Sequence, residues 1–155
     1  MNIADILSPH AVIHGLKATN KKKLIAELAG QVARIAGLDE GKVFESLWER
    51  EKLNSTGVGH GVAVPHARVP KLDKIVGLFA QLESAIDFEA IDEAPVDLVF
   101  LLLTPADAGA DHLKALARVS RLMRNAAVCE KLRAANDGAQ LYALLTEPSA
   151  GVQAA

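Results

Sequence analysis

A histidine that follows a glycine-rich stretch is the residue of this chain best suited to chemistry. Residues 57–68 read GVGHGVAVPHAR: three glycines alternate with other residues, and an apolar run then leads to Pro65 and His66. Because glycine lacks Cβ and tolerates positive φ, this spacing lets the backbone approach an anion closely. Proline has no amide hydrogen, so we expect a strand at 62–64 to stop at Pro65 and His66 to sit at its exposed end. The pattern predicts phosphoryl chemistry on His66.

His66 has the right reactivity for such a role. A neutral imidazole is a good nucleophile near pH 7, since its unperturbed pKa is about 6.5. It can attack phosphorus without a separate base to remove a proton first. The phosphoramidate it forms is labile, so the phosphoryl group can be passed onward. The alternative for the same residue is a histidine that ends a strand and bonds only to the backbone.

Three further charged or titratable side chains could assist His66. His112 opens a predicted helix, where free N–H groups and the helix dipole favour an anion, although it could equally be a solvated first-turn residue. Arg50, near a predicted helix end, offers the fork geometry that suits phosphoryl oxygens, or it pairs with Glu49 or a carboxylate one turn earlier. Arg68 points to the same side of an extended chain as His66, and could contact phosphate, an acidic partner or only solvent.

Smaller groups before the histidine are also candidates for phosphate binding. Ser55 and Thr56 can donate hydroxyl or backbone hydrogen bonds to a phosphoryl oxygen, or they can form the turn that ends the preceding helix. Gly57 belongs with them as the first of the glycines that would admit an anion.

No metal or cofactor is predicted. His60, His66 and His112 could in principle bind zinc together with a water, but no carboxylate or cysteine stands at a recognisable ligand spacing. The chain has one cysteine, which lies in a helical pattern and is expected to be a small apolar residue. It has neither a Gly-x-Ser-x-Gly elbow nor a Gly-x-x-x-x-Gly-Lys-Ser/Thr loop.

Composition excludes several classes of partner. The 155 residues suffice for one domain with a proper core. A net charge of −2, with no cluster of aromatic residues, argues against nucleic acid. The longest apolar run, 98–103, is far too short to span a bilayer, and no signal peptide is visible, so we expect a cytoplasmic protein without membrane insertion.

The hydrophobic pattern predicts an α/β fold. We expect a single-domain layered sandwich over 1–147, with a mixed, mostly buried β-sheet flanked by helices, and a flexible tail at 148–155. Predicted helices are 3–7, 21–35, 40–52, 111–125, 127–135 and 138–146; predicted strands are 12–14, 62–64, 75–82 and 98–103. The all-apolar strand 98–103 should be central. The core stripe of the 111–125 helix should comprise Leu113, Leu116, Ala117, Val119, Ser120 and Met123.

These residues also carry a resemblance. Glu51, six intervening residues, Val58-Gly59, two more, and then VAVPHA at 62–67 resemble the signature of type-2 enzyme IIA components. These belong to the fructose/mannitol family of the bacterial phosphoenolpyruvate-dependent phosphotransferase system. The stretches 48–57 and 95–113 are similar as well, so the resemblance covers all but the tail. The opening 3–7 and the lack of a fused sugar-specific domain resemble the free-standing nitrogen-regulatory branch.

The resemblance implies a function. His66 would accept a phosphoryl group on Nε2 from an HPr-like phosphocarrier protein of the nitrogen branch. His112 would flank it and help to hold the group, and the match at Arg50 favours a role there too; none is carried over for Arg68. The phosphorylation state would regulate target proteins in nitrogen metabolism, potassium transport or stress signalling.

Two other functions stay open. A sugar-specific enzyme IIA would pass the phosphoryl group from His66 to a cysteine of a IIB component for fructose or mannitol uptake. A binding module that has lost phosphotransfer is the other. The target, the sugar and the oligomeric state are not determined by the sequence.

Overall fold

Residues 1–147, the part of the chain that the computed structural model describes, contain six α-helices, one short 3-10 helix (Pro9–Ala11) and six strands. The helices are α1 (Ile3–Ile6), α2 (Lys21–Ala36), α3 (Glu40–Leu53), α4 (Ala110–Met123), α5 (Ala126–Ala134) and α6 (Gly138–Thr146). The strands are β1 (Val12–Leu16), β2 (Gly57–Gly59), β3 (Val62–Ala63), β4 (His66–Val69), β5 (Val76–Ile86) and β6 (Val96–Pro105). The predicted tail, 148–155, lies outside the described residues.

The strands form one mixed sheet in the order β1-β5-β6-β3-β2, with β4 also paired to β6. β5 and β6 are antiparallel, whereas β3 and β4 run parallel to β6. Residues 98–103 of β6 are completely buried, as an apolar strand covered on both faces must be. The predicted fold class and the central position of this strand are therefore confirmed.

Helices α2 and α3 are set by clear signals in the sequence. The Asn20 side chain accepts a hydrogen bond from the Lys23 amide at the start of α2, and Gly37 ends it in the left-handed region at φ +70°. Asp39 caps α3 in the same way. The two helices pack on each other, α2 also contacts β5, and α3 contacts β4, which brings the C-terminal half of α3 beside His66.

The strand before His66 stops short of Pro65 as predicted, but His66 begins a new strand instead of lying at an exposed strand end. β3 and β4 pair with β6 in one continuous register: Val62 pairs with Leu98 and His66 with Leu102, four positions further along both strands. Pro65 only interrupts them, and its carbonyl accepts a hydrogen bond from the Leu102 amide. Proline is tolerated because β4 pairs on one side only, so the missing donor breaks no ladder bond. His66 therefore opens a strand instead of ending one.

The core stripe of α4 also differs from the prediction. Val119 and Met123 are buried as expected, but Leu113 is 64% exposed and His112 is buried in its place. The other buried residues of this helix are Ala115 and Leu122. Hydropathy assigned the interior position to the leucine because it ranks histidine as polar, whereas the helix turns His112 toward β6.

No helix within residues 1–147 is long and apolar enough to cross a membrane.

Candidate functional site

His66 is held at the start of β4 by a hydrogen bond from its own ring. Its Nδ1 lies 2.8 Å from the carbonyl oxygen of Val64. A carbonyl can only accept, so Nδ1 carries the hydrogen and donates it. In the neutral ring the lone pair is then on Nε2. The backbone thus selects the tautomer in which Nε2 has the nucleophilic lone pair. The same hydrogen bond holds the half-buried ring in one orientation.

His112 lies beside it. The two ring centroids are 5.9 Å apart and the ring planes are tilted by 53°. His112 Nδ1 is hydrogen-bonded to the hydroxyl of Thr104, which is buried near the end of β6. His112 is bonded to Thr104 on β6, and β6 pairs in parallel with β4, which carries His66. The two histidines therefore meet at the same end of these two strands. The expected convergence of His66 and His112 is thus present, although it does not depend on a strand that ends at Pro65.

An open cavity of about 660 Å³ surrounds these rings. Its lining residues are Lys42, Glu45, Ser46, Glu49, Arg50, His66, Ala67, Arg68, Pro70 and His112. Arg50 Nη1 donates to the carbonyl oxygen of Asn54 at 3.0 Å and to its side-chain oxygen at 3.1 Å. Within residues 1–147 the Arg50 Nε and Nη2 groups make no hydrogen bond, so this part of the fork is available to a ligand. The sequence alternative, pairing with Glu49 or a carboxylate one turn earlier, is not found for Arg50.

Both histidines are biased toward the neutral form. Burial is the main cause that lowers the pKa of His66 below its ordinary value; the hydrogen bond to Val64 acts in the opposite direction, Arg50 lowers the pKa further, and Glu51 raises it. Burial also lowers the pKa of His112, with smaller contributions from Arg68 and His66. A low pKa keeps the His66 lone pair free at neutral pH, which suits a nucleophile.

The lowered pKa values make stability depend on pH in a defined direction. An unfolded histidine has a pKa of about 6.5, whereas the pKa of folded His66 is lower. The contribution of neutral His66 to the free energy of unfolding is therefore fully present above about pH 6.5 and is lost on acidification below it. We expect the free energy of unfolding, measured by urea titration, to fall between pH 7.5 and 5.5. The fall should be smaller in His66→Gln and unchanged in His10→Gln, an exposed histidine. Equal falls in all three proteins would contradict it.

Thr104 orients His112, and its loss should be measurable. Thr104→Val keeps the volume but leaves the Nδ1 of a buried histidine without its partner, which costs about 1–3 kcal/mol. We expect this loss in urea unfolding. Thr146→Val is the matched control, because the Thr146 hydroxyl donates to the Tyr142 carbonyl within its own helix. Equal losses of unfolding free energy in the two variants would show that the bond to His112 contributes no more to stability than the bond between Thr146 and Tyr142.

Ser55, Thr56 and Gly57 are not brought into the cavity. The Ser55 hydroxyl donates to the Phe88 carbonyl and accepts from the Gly57 amide. The Thr56 hydroxyl and amide both bind Glu51, which is buried. A Cβ on Gly57 would lie 2.7 Å from the Cβ of Ala90, so close packing and not an anion is what requires glycine there. In this structure the hydroxyl groups of Ser55 and Thr56 are bonded to protein groups, and phosphate binding by these three residues stays a prediction.

The rest of the glycine-rich stretch is occupied by side chains as well. Gly61 has φ +79°, and a Cβ there would lie 2.5 Å from Nη2 of Arg133. Arg133 in turn forms a bidentate ion pair with Asp97 and donates to the His60 carbonyl. At Gly61 the backbone comes close to a guanidinium, whereas at Gly59 it lies against the carboxylate of Asp92. In the sequence the two causes of a glycine repeat cannot be distinguished.

His60 lies in the turn between β2 and β3, with its amide bonded to Asp92. It does not line the cavity that holds His66 and His112. In the part of the chain that the structure describes, no group of three or more His, Cys, Asp or Glu side chains is placed to hold a metal ion. Cys129 is buried, and burial raises the pKa of its thiol, as suits the apolar role expected for it.

Several residues of the cavity were missed in the sequence. Lys42, Glu45, Ser46 and Glu49 line it because they share the exposed face of α3 with Arg50. Their spacing of three to four residues is the helical signal that could have identified them. Thr104 had no such signal, because one threonine at the end of an apolar strand resembles many others.

Comparison with known proteins fits this geometry. Residues 5–147 match the family described as phosphoenolpyruvate-dependent sugar phosphotransferase system, EIIA 2. The chain belongs to this family. It is 53% identical over 150 residues to a nitrogen regulatory protein of Bradyrhizobium diazoefficiens, a match that covers 97% of this chain and 98% of the relative. It is 35% identical over 125 residues to a fructose-specific EIIA component of Haloferax volcanii, which covers 81% and 80% of the two chains.

Solved structures give the same result. The nitrogen regulatory protein IIA-Ntr of Neisseria meningitidis superposes with a TM-score of 0.88 at 33% identity, over 93% of this chain and 99% of that one. IIA mannitol of Escherichia coli has the same fold, with a TM-score of 0.76 at 21% identity over 89% and 97% of the chains. The resemblance to the nitrogen-regulatory branch is confirmed: this is a IIA-type protein of the nitrogen regulatory kind.

Proposed function

We propose that this protein is a phosphocarrier and regulator that accepts a phosphoryl group on Nε2 of His66 from the phosphohistidine of an HPr-like protein. The observation that carries the proposal is the Nδ1 hydrogen bond to the Val64 carbonyl, since it leaves Nε2 as the one ring nitrogen with a free lone pair. The pKa of this ring, lowered mainly by burial, keeps that lone pair available at neutral pH.

The transfer step follows from the tautomer. The Nε2 lone pair attacks phosphorus, the nitrogen–phosphorus bond of the donor breaks, and its electron pair returns to the donor's imidazole. The phosphorylated His66 ring gains positive charge, and its Nδ1 hydrogen stays bonded to the Val64 carbonyl, which partly offsets that charge. One nitrogen–phosphorus bond breaks and another forms, so the step needs no co-reactant and is reversible. The reverse step transfers the phosphoryl group from His66 to an acceptor.

Charge on the phosphoryl oxygens has three partners in the cavity. Arg50 and Arg68 supply positive charge on two sides of His66, from α3 and from β4. Where Thr104 donates its hydroxyl hydrogen to His112 Nδ1, Nε2 of His112 carries the hydrogen and can donate it to a phosphoryl oxygen. Catalysis here consists of positioning and of electrostatic stabilisation, as is general for phosphoryl transfer.

Regulation would follow from the charge change. A phosphoryl group adds roughly −1.5 to −2 charges to one exposed cavity, by analogy with other protein phosphorylations. A target that presents acidic or apolar groups there would be released, and one that presents arginine would be bound. We propose that the targets belong to nitrogen metabolism, potassium transport or stress signalling, in line with the relatives named as nitrogen regulatory proteins.

A second candidate has a specific observation behind it. The similarity to a fructose-specific EIIA component would suit a protein that passes the group from His66 to a IIB cysteine. The two candidates share the first step and differ in the acceptor.

The deciding experiment is intact-protein mass spectrometry after incubation with phosphoenolpyruvate, enzyme I and an HPr-like carrier. We expect the mass of one phosphoryl group, removed by acid and retained in alkali as a phosphoramidate is. No added mass with carriers of either the sugar or the nitrogen branch would overturn the proposal and leave a binding module. Transfer from the phosphorylated protein to a fructose or mannitol IIB component would favour the second candidate.

A further inference from the structure

We propose that Glu51 is a positioning residue for His66: held by Lys21, it fixes Thr56, and through Thr56 and Val64 it keeps Nε2 of His66 as the free ring nitrogen. The inference rests on the proposed function, since it explains how the acceptor nitrogen is selected. It concerns Glu51, Lys21 and Thr56, which do not line the cavity.

Glu51 is the most buried charged side chain of this cluster, with 2% of it exposed. Its Oε2 lies 2.8 Å from Nζ of Lys21 and accepts the Thr56 amide hydrogen at 2.9 Å. Its Oε1 accepts the Thr56 hydroxyl hydrogen. Lys21 is the first residue of α2, Glu51 lies near the end of α3, and Thr56 precedes β2, so three separate segments meet at one carboxylate.

Two backbone bonds connect this cluster to the nucleophile. The Thr56 carbonyl accepts the Val64 amide hydrogen at 3.0 Å. The Val64 carbonyl then accepts the His66 Nδ1 hydrogen at 2.8 Å. Pro65 has no amide hydrogen and cannot add a second backbone bond here. The bond from the Val64 amide to the Thr56 carbonyl is therefore the one that ties this segment to Thr56. If Thr56 moves, the carbonyl that selects the His66 tautomer moves with it.

Electrostatics couples the same residues directly. Glu51 raises the pKa of His66, whereas Arg50 lowers it, and these two residues follow one another on α3. A carboxylate one residue from the phosphate-facing arginine would repel a phosphoryl group if it were free. Here it is buried, paired with Lys21 and turned away from the cavity, so its charge acts on the imidazole but is not presented to the phosphoryl oxygens.

Stability alone is a weak reason for such a cluster. Taking both charges of an ion pair out of water is costly, and apolar replacements of similar volume are often neutral or stabilising. A network whose members are all hydrogen-bonded does, however, specify one local geometry. That property matches what the ring of His66 requires.

The test compares Thr56→Val, Thr56→Ser and Glu51→Gln with wild type. The valine variant keeps the shape and removes the hydroxyl donor, the serine variant restores it, and the glutamine variant removes the charge. Asp97→Asn is the matched control: it breaks the bidentate ion pair with Arg133, and the Asp97 side chain bonds none of Glu51, Thr56, Val64 and His66. Urea unfolding reports the stability of each variant.

The readout is the ¹⁵N spectrum of the His66 ring as a function of pH, which gives tautomer and pKa without any phosphoryl donor. Wild type should be mainly in the tautomer with hydrogen on Nδ1. Thr56→Val should show a mixture of tautomers and an at least five-fold slower phosphoryl acceptance, with both restored in Thr56→Ser. Glu51→Gln should lower the pKa of His66, because the carboxylate that raises it is gone.

Asp97→Asn should change neither tautomer nor pKa, whatever its stability. An unchanged His66 tautomer in folded Thr56→Val, or an equal change in Asp97→Asn, would overturn the inference. The ring spectra also separate it from the proposed function. Wild type that accepts no phosphoryl group would refute the function, and the tautomer results would still decide whether Glu51 positions the ring.

Discussion

Replacing His66 with alanine abolishes phosphoryl acceptance and leaves a folded protein; this is the largest effect we expect. The variant lacks the proposed nucleophilic nitrogen, so we expect no phosphoryl group to be accepted. We expect no substitution by His112, because its Nδ1 is already hydrogen-bonded to the Thr104 hydroxyl. The structural loss is small by comparison, since the His66 ring is half-buried and makes one hydrogen bond worth about 0.5–1.5 kcal/mol. Intact mass after incubation with the donor measures the first effect and urea unfolding the second.

His14→Ala is the matched control. Its Nε2 also lies within hydrogen-bond distance of a backbone carbonyl, that of Ala135, at 2.9 Å. It stands on β1, which lies on the opposite side of β6 from β4. The His14 variant should therefore lose similar stability and keep full phosphoryl acceptance. An added phosphoryl group on His66→Ala would move the acceptor to another residue.

Arg50→Ala should slow transfer by about 10²–10³-fold, in line with the removal of one preorganised donor from a site of developing negative charge. Nη1 is held by the carbonyl and side chain of Asn54, which restrains the guanidinium of Arg50 at the cavity wall. Stability should fall by about 1 kcal/mol, because the bonds near the end of α3 are lost. Rapid-quench kinetics with a phosphorylated carrier measures the rate, and Arg34→Ala, an exposed arginine of α2, is the control.

The same variant has a signed effect on pH dependence. Arg50 lowers the pKa of His66, so its removal raises that pKa. Protonation of the ring removes the lone pair, and the variant should therefore lose phosphoryl acceptance at a higher pH than wild type does. Unchanged kinetics and an unchanged pH profile would exclude Arg50 from the site.

Residues whose role follows from their own chemistry were found in the sequence. His66 stands out because of its neighbours and its nucleophilic ring, and His112 and Arg50 because they stand near helix ends. The structure places all three in one cavity. Their roles in phosphoryl transfer stay predictions until the variants above are measured.

Residues whose role depends on their contacts in the folded protein were not found in the sequence. The glycines at 57–61 lie against Ala90, Asp92 and the Arg133 side chain, and Thr56 bonds to Glu51. Leu113 and His112 exchange the places that hydropathy assigns to them. In each case a distant segment decides the outcome, and no local pattern specifies which segment that is.

By itself the sequence determined the helices α2 and α3, the central strand, the family resemblance and the candidate nucleophile. These depend on periodicity, caps and side-chain type, which are local properties of the chain. Only the tertiary structure decided that β3 and β4 pair with β6 in one register across Pro65, and which ring nitrogen of His66 is free. The register depends on β6, and the free ring nitrogen depends on the Val64 carbonyl. Pairing register and hydrogen-bond direction exist only once separate segments have come together.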